Sequence, residues 1–115
     1  MLRAFAILLL FASPALAQSG GHQGHGAAAA GDAPSTRAYK QANDKMHRDM
    51  SIRFSGDADR DFVAGMIAHH QGAIDMAKVV LQHGKDAEIR KLAQEIIAAQ
   101  EKEIAQMKEW QAKRR

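Results

Sequence analysis

The sequence predicts an all-α protein built from three antiparallel helices, and three observations predict it. From Thr36 to the C-terminus there is no proline, apolar residues recur at spacings of three and four, and the two-residue alternation of strands is absent. Capping and chain-breaking residues divide that stretch into three segments.

The first helix is expected to begin at a Ser35 or Thr36 cap just after Pro34 and to run to about Phe54, where Ser55-Gly56-Asp57 ends it. Tyr39, Ala42, Met46, Met50 and Phe54 trace its apolar stripe. The second begins near Asp59 and stops at Gly84, a residue suited to the left-handed conformation that closes many helices. The third begins near an Asp86 cap and continues almost to the C-terminus, with Ile89, Leu92, Ala93, Ile96, Ile97, Ile104 and Met107 expected inward. Its Arg90, Lys91, Glu101, Lys102 and Lys108 largely occupy the other faces. At about 1.5 Å per residue the three measure roughly 28, 36 and 42 Å. A first helix too short to cover the others leaves an apolar strip that a second copy would bury in a four-helix arrangement, so a homodimer is expected.

The segment before these helices has a different character. Residues 1–17 read as a secretory signal: Arg3 near the start, an apolar run from Ala4 to Ala12, and a small-x-small ending at Ala15-Leu16-Ala17 with cleavage expected after Ala17. The run is too short to span a bilayer, so the expected location is the periplasm or the exterior, with no stable membrane anchor. Gln18 to Ser35, rich in Gly and Ala, reads as a flexible tail. Its His22 and His25 suit either weak metal recruitment or a solvated linker. Residues 36–115 form the helical domain.

Composition narrows the chemistry. There are six Met and six His but no Cys among the 115 residues, which excludes disulfides, thiolate metal sites and thiol nucleophiles. The formal net charge is only +3, Lys and Arg are interleaved with Asp and Glu, and aromatic residues make up 5% of the chain. An exported chain without a long basic run is not a nucleic-acid binder.

Two clusters carry possible chemistry. Met46-His47-Arg48-Asp49-Met50 lies on the first helix, where Met46 and Met50 are four apart and share a face with His47 beside them. On the second, His69 and His70 fall about 60° and 40° to either side of Met66. That sector is apolar, shared with Phe62, Val63, Ala73, Ala77 and Val80. Thioether and neutral imidazole carry no charge and suit a soft monovalent cation, Cu(I), with Ag(I) as its mimic. The same Met stripe also suits adaptable core filling. Met76 lies about 10 Å beyond His69 along the axis and fits a second site or a transfer step, Met107 lies far along the third helix, and His83 fits a helix C-terminus.

Other chemistries lack their residues. Asp57-Ala58-Asp59-Arg60-Asp61 resembles the start of a calcium loop, but Phe62 stands where Gly is required and Ala68 where a bidentate Glu is required; helix capping accounts for these acids. Paired Glu-x-x-His motifs, His-Glu-x-x-His and cofactor-binding glycine motifs are absent. Gly65 and Gly72, mid-helix and seven apart, point to a close helix approach or room for a bulky neighbour.

The run from Asp61 to Ala77, with Gly65-Met66-Ile67-Ala68-His69-His70-Gln71-Gly72-Ala73-Ile74-Asp75-Met76 at its centre, resembles the signature of domain of unknown function family 305, the CopM-like bacterial periplasmic copper-binding proteins. Met46-His47-x-x-Met50 upstream and Gln100-x-x-Glu103-Ile104-x-x-Met107-x-x-Trp110 downstream match its other landmarks in order. The resemblance implies a ferritin-like helical bundle and a non-enzymatic role in copper tolerance or trafficking. By position it implies Met46, His47, Met50, Met66, His69, His70 and Met76 as copper ligands, with Met107 a lesser candidate. A periplasmic copper-transfer protein is the partner it implies. Two other readings fit the residues: a metal-free interaction module with a Met-rich docking face, and a copper-dependent redox enzyme.

Overall fold

The computed structural model describes residues 31–115; the expected signal at 1–17 and most of the expected tail, with His22 and His25, lie outside the described residues. Three helices and no strands are found among the described residues: α1 Pro34–Met50, α2 Ala58–His83 and α3 Ala87–Ala112.

α1 starts slightly earlier than expected, because Pro34 sits in its first turn where a missing N–H costs nothing. It also stops short of Phe54. The Ser51 hydroxyl donates to the His47 carbonyl at 3.0 Å and the Ser51 N–H donates to the Arg48 carbonyl at 3.2 Å, which closes the last turn. Phe54 therefore leaves the stripe and is 75% exposed in the connection.

α2 begins where the Asp57 carboxylate accepts the N–H groups of Asp59 and Arg60, at 3.0 and 3.1 Å. Asp61 reaches back from the first turn and accepts from the Ser55 N–H, the Ser55 hydroxyl and the Gly56 N–H, at 2.9, 2.8 and 3.2 Å. The acids thus fasten the connection, with Gly56 at φ +86° supplying its reversal. The N–H bond from Ser55 is the main reason the Asp61 carboxyl is held below its ordinary value of 3.8. A carboxylate with a depressed folded value contributes stability above the ordinary range and loses it as pH falls through the folded value. The Ser55 and Gly56 amides are therefore expected to lose hydrogen-exchange protection as pH falls from the ordinary carboxylate range through the lower folded value, and Asp61→Asn is expected to remove that transition. Protection that stays flat in the wild type over this window would contradict the assignment.

Gly84 departs from the left-handed expectation: its backbone is extended, at φ −75° and ψ 153°. Its N–H donates to the Val80 carbonyl at 2.7 Å, and a Cβ there would sit 2.6 Å from that same oxygen. Close approach to the helix end, not positive φ, selects glycine. Asp86 then caps α3 as expected, accepting the Ile89 N–H at 2.9 Å.

α2 is the central helix. At about 100° per residue its buried positions fall into two groups about 180° apart, Val63, Ile74 and Ala77 on one flank and Gly72 and Val79 on the other. α3 packs against the first flank and α1 against the second, while the α1 and α3 backbones do not approach each other. The result is a layer of three antiparallel helices, and the core consists of the two seams along α2. Ala42 of α1 and Ala93 and Ile104 of α3 are buried in them.

Candidate functional site

A layer has two faces, and those of α2 differ in chemistry. One carries Arg60, Gln71, Asp75 and Lys78, where Gln71 donates to Asp75 at 3.1 Å and Lys45 from α1 reaches both Asp49 and Asp75. The hydrogen bond from Lys45 to Asp49 is the largest cause holding that amine above its ordinary value. The opposite face carries Phe62, Met66, His69, Ala73, Met76 and Val80, a stripe of alternating four- and three-residue steps with no Asp, Glu, Lys or Arg. Its members lie about 90° from both seams. Phe62 is 62% exposed and Met76 42% exposed.

The outer helices add to this open face. Tyr39 of α1 and Ile89, Leu92 and Ile96 of α3 line an apolar groove with Met76 and Val80. Ile89 and Leu92 were expected inward and are instead about half exposed, because they point into this groove and not into the seam. Met50 and His47 occupy the side of α1 opposite Lys45 and Asp49 by helical phase, which is the side of the open face. Both are exposed.

A second groove along the same face is lined by Phe62, Met66, His70, Glu103, Gln106 and Met107. Here the His70 Nε2–H donates to the Glu103 carboxylate across the α2–α3 seam, at 2.5 Å. The His70 side chain is only 14% exposed, and its Nδ1 is buried without a hydrogen-bond partner. With Nε2 donating, the neutral ring presents Nδ1 as a lone pair. A carboxylate that orients a histidine in this way is the arrangement that prepares an imidazole for metal. Sequence reasoning used Glu103 only as a landmark. The short connection 84–86 held the signal, since an antiparallel hairpin turning there puts residue 70 opposite residue 100 of α3, within one turn of Glu103.

Met46 plays a different part from its neighbours. A Cβ on Gly72 would collide with the Met46 Sδ, lie 2.7 Å from its Cγ and 3.1 Å from its Cβ, so the Met46 side chain occupies the notch that glycine leaves. Gly72 thus meets the expectation of room for a bulky neighbour; Gly65, where an added methyl would meet nothing within 4 Å, does not. The Met46–Gly72 notch and the Lys45–Asp75 pair at 3.7 Å set α1 alongside α2 so that Met50 lies level with His69 and His70.

The candidate ligands therefore separate by surroundings. Met46 is in the α1–α2 seam, His70 reaches the α2–α3 seam, and Met66 lies half-buried between Phe62 and Met107. His47, Met50, His69 and Met76 are exposed, whereas the sequence placed them largely on inward faces; the layer leaves uncovered the face that a closed bundle would bury. The rings of His69 and His70 stand 6.1 Å apart, edge to face. Among the described residues no three His, Cys, Asp or Glu side chains converge into a metal-holding group. The donors collected on the open face are mainly thioethers and imidazoles, the set that suits a soft ion and not a hard one.

Among known proteins, an uncharacterised protein of Acanthamoeba polyphaga mimivirus is 43% identical over 49 residues, which is 43% of this chain and 32% of that protein. The chain thus spans about a third of that relative's length. The domain family described as Domain of unknown function (DUF305) matches residues 11–111. That match takes in α1, α2 and α3 up to its last residue, with the His69-His70 pair and the Glu103 that bonds His70, and the chain belongs to the DUF305 family.

Proposed function

We propose that the protein binds Cu(I), with Ag(I) as surrogate, on the open face of its helix layer, and sequesters or transfers it without catalysing a reaction. The observation that carries this reading is the gathering of uncharged soft donors from two helices onto one face: His47 and Met50 from α1 with Met66, His69, His70 and Met76 from α2. Glu103 orients His70, Met107 borders the same groove, and Met46 holds α1 in register. An exposed set of this kind suits exchange with a copper-transfer partner in the periplasm, where the N-terminal segment would direct the chain. No helix among the described residues is long and apolar enough to cross a membrane.

Competition against a Cu(I) chelator tests the proposal. Met66→Leu and Met50→Leu are each expected to weaken Cu(I) affinity about tenfold or more while leaving helicity unchanged, since leucine keeps the volume. Unchanged affinity in both variants would remove these thioethers from the site. The open Met-rich face also suits a metal-free docking module, and absence of any Cu(I) or Ag(I) binding would select that reading.

A further inference from the structure

The stripe on the open face of α2 has a symmetry that a single chain does not use. Its six positions are paired about residue 71: Phe62 with Val80, Met66 with Met76, and His69 with Ala73. Two such stripes laid antiparallel on a two-fold axis at residue 71 bring each residue opposite its pair-mate on the other copy. Large apolar groups meet at both ends, thioether meets thioether, and His69 meets alanine, the smallest side chain of the stripe.

We propose that two copies of the chain associate through their open faces, and that a soft cation is held between them by Met66 and His69 of one copy and Met76 of the other. The proposal rests on the Cu(I) reading and says which three of its donors share one ion across the two copies. Within one chain Met66 and Met76 are ten residues apart, about 15 Å along the helix, and cannot share an ion. Across the two-fold they are neighbours, and each dimer has two equivalent sites.

Several features fit a second copy as the occupant of this face. The stripe lacks charge, so it does not repel itself. Of the six exposed large hydrophobic residues among the described residues, Met50, Phe62, Met76, Ile89 and Leu92 all belong to this face and only Phe54 does not. The stripe is about 27 Å long, and three helices spaced by 8–10 Å make the face about 20 Å wide. That gives on the order of 500 Å² in projection, and more once its relief is counted, which approaches the roughly 800 Å² per partner of a stable interface. A three-helix layer, unlike a closed bundle, can stack face to face on itself, with α2 against α2 at the centre.

Mixing two variants tests the shared site. Purified wild-type protein is expected to be dimeric by light scattering and to bind about one Ag(I), supplied as silver nitrate, tightly per chain. Met66→Leu and Met76→Leu each lack one thioether at every site, and each is expected to lose about tenfold or more in Ag(I) affinity. In an equimolar mixture, half of the dimers pair one variant with the other, and each of these has one intact and one doubly impaired site. The mixture is therefore expected to regain about a quarter of the wild-type tight sites. Wild-type Ag(I) binding with no recovery on mixing, or a wild-type mass that stays monomeric with and without Ag(I), would overturn the shared site and leave the copper reading standing. Wild-type protein that binds no Ag(I) would overturn both.

Discussion

Gly72→Ala is expected to lower stability by up to about 2 kcal/mol, although alanine is the better helix former. The methyl gains about 1 kcal/mol of helix propensity but lands on the Met46 Sδ and within 2.7 Å of its Cγ, too close to the root of that side chain for the tip alone to swing away. α1 has to lift from α2, and overpacking of this kind costs about 1–3 kcal/mol, which offsets or exceeds that gain. Gly65→Ala is the matched control. It meets nothing within 4 Å and is expected to stabilise by about 0.5–1 kcal/mol. Thermal melts resolve the pair, because 1 kcal/mol moves the midpoint of a domain this size by about 4–8 °C. Adding Met46→Ala to Gly72→Ala empties the notch and is expected to remove most of the clash, so the two changes together cost less than their separate effects summed. If Gly72→Ala and Gly65→Ala stabilise equally, Met46 does not set the α1–α2 contact.

His70→Leu is expected to raise stability by about 1–2 kcal/mol while weakening Cu(I) binding about tenfold or more. The two effects have separate causes. The imidazole buries an Nδ1 with no partner, a desolvation cost of about 1–3 kcal/mol that an apolar side chain of similar bulk does not carry. The carboxylate it releases is more than half exposed at the rim and passes to water. Glu103→Leu reverses the test. It leaves both ring nitrogens of His70 without a protein partner and is expected to destabilise by about 1 kcal/mol, the lower end of the range because water reaches Nε2 from the groove. Urea denaturation measures the stabilities and chelator competition the affinities. A His70→Leu variant that is less stable than wild type would mean that the buried nitrogen is satisfied after all. Keeping a destabilising histidine at a seam is the pattern of a residue retained for binding.

Local chemistry made most of the helical architecture legible. Asp57, Asp86 and Gly84 mark their boundaries in sequence as they do in structure, because caps and close backbone approaches depend on near neighbours. The end of α1 was less legible. Phe54 keeps the four-residue spacing of the stripe, and nothing in periodicity shows that Ser51 turns its hydroxyl back onto the His47 carbonyl. The candidate site was legible as a list of residues and not as an arrangement. Apolar periodicity shows that His69, Met76, Ile89 and Leu92 share faces with core residues, but it cannot distinguish a seam from an adjacent uncovered strip, since helices in a row and helices in a closed bundle use the same spacing. Glu103 was missed because a charged residue on a helix face reads as solvated until the opposite arm of the hairpin is known.

The two seams of α2 also fix how the molecule comes apart. The α2–α3 hairpin keeps its whole interface whether or not α1 is in place, since α1 and α3 backbones do not approach each other. What holds α1 is one line of small and flexible side chains, Ala42 and Met46 against Gly72 and Val79, with Lys45 bridging to Asp75 at its edge. The contacts thus divide the protein into an α2–α3 hairpin with α1 docked along one side, and undocking of α1 is the expected first step of its unfolding.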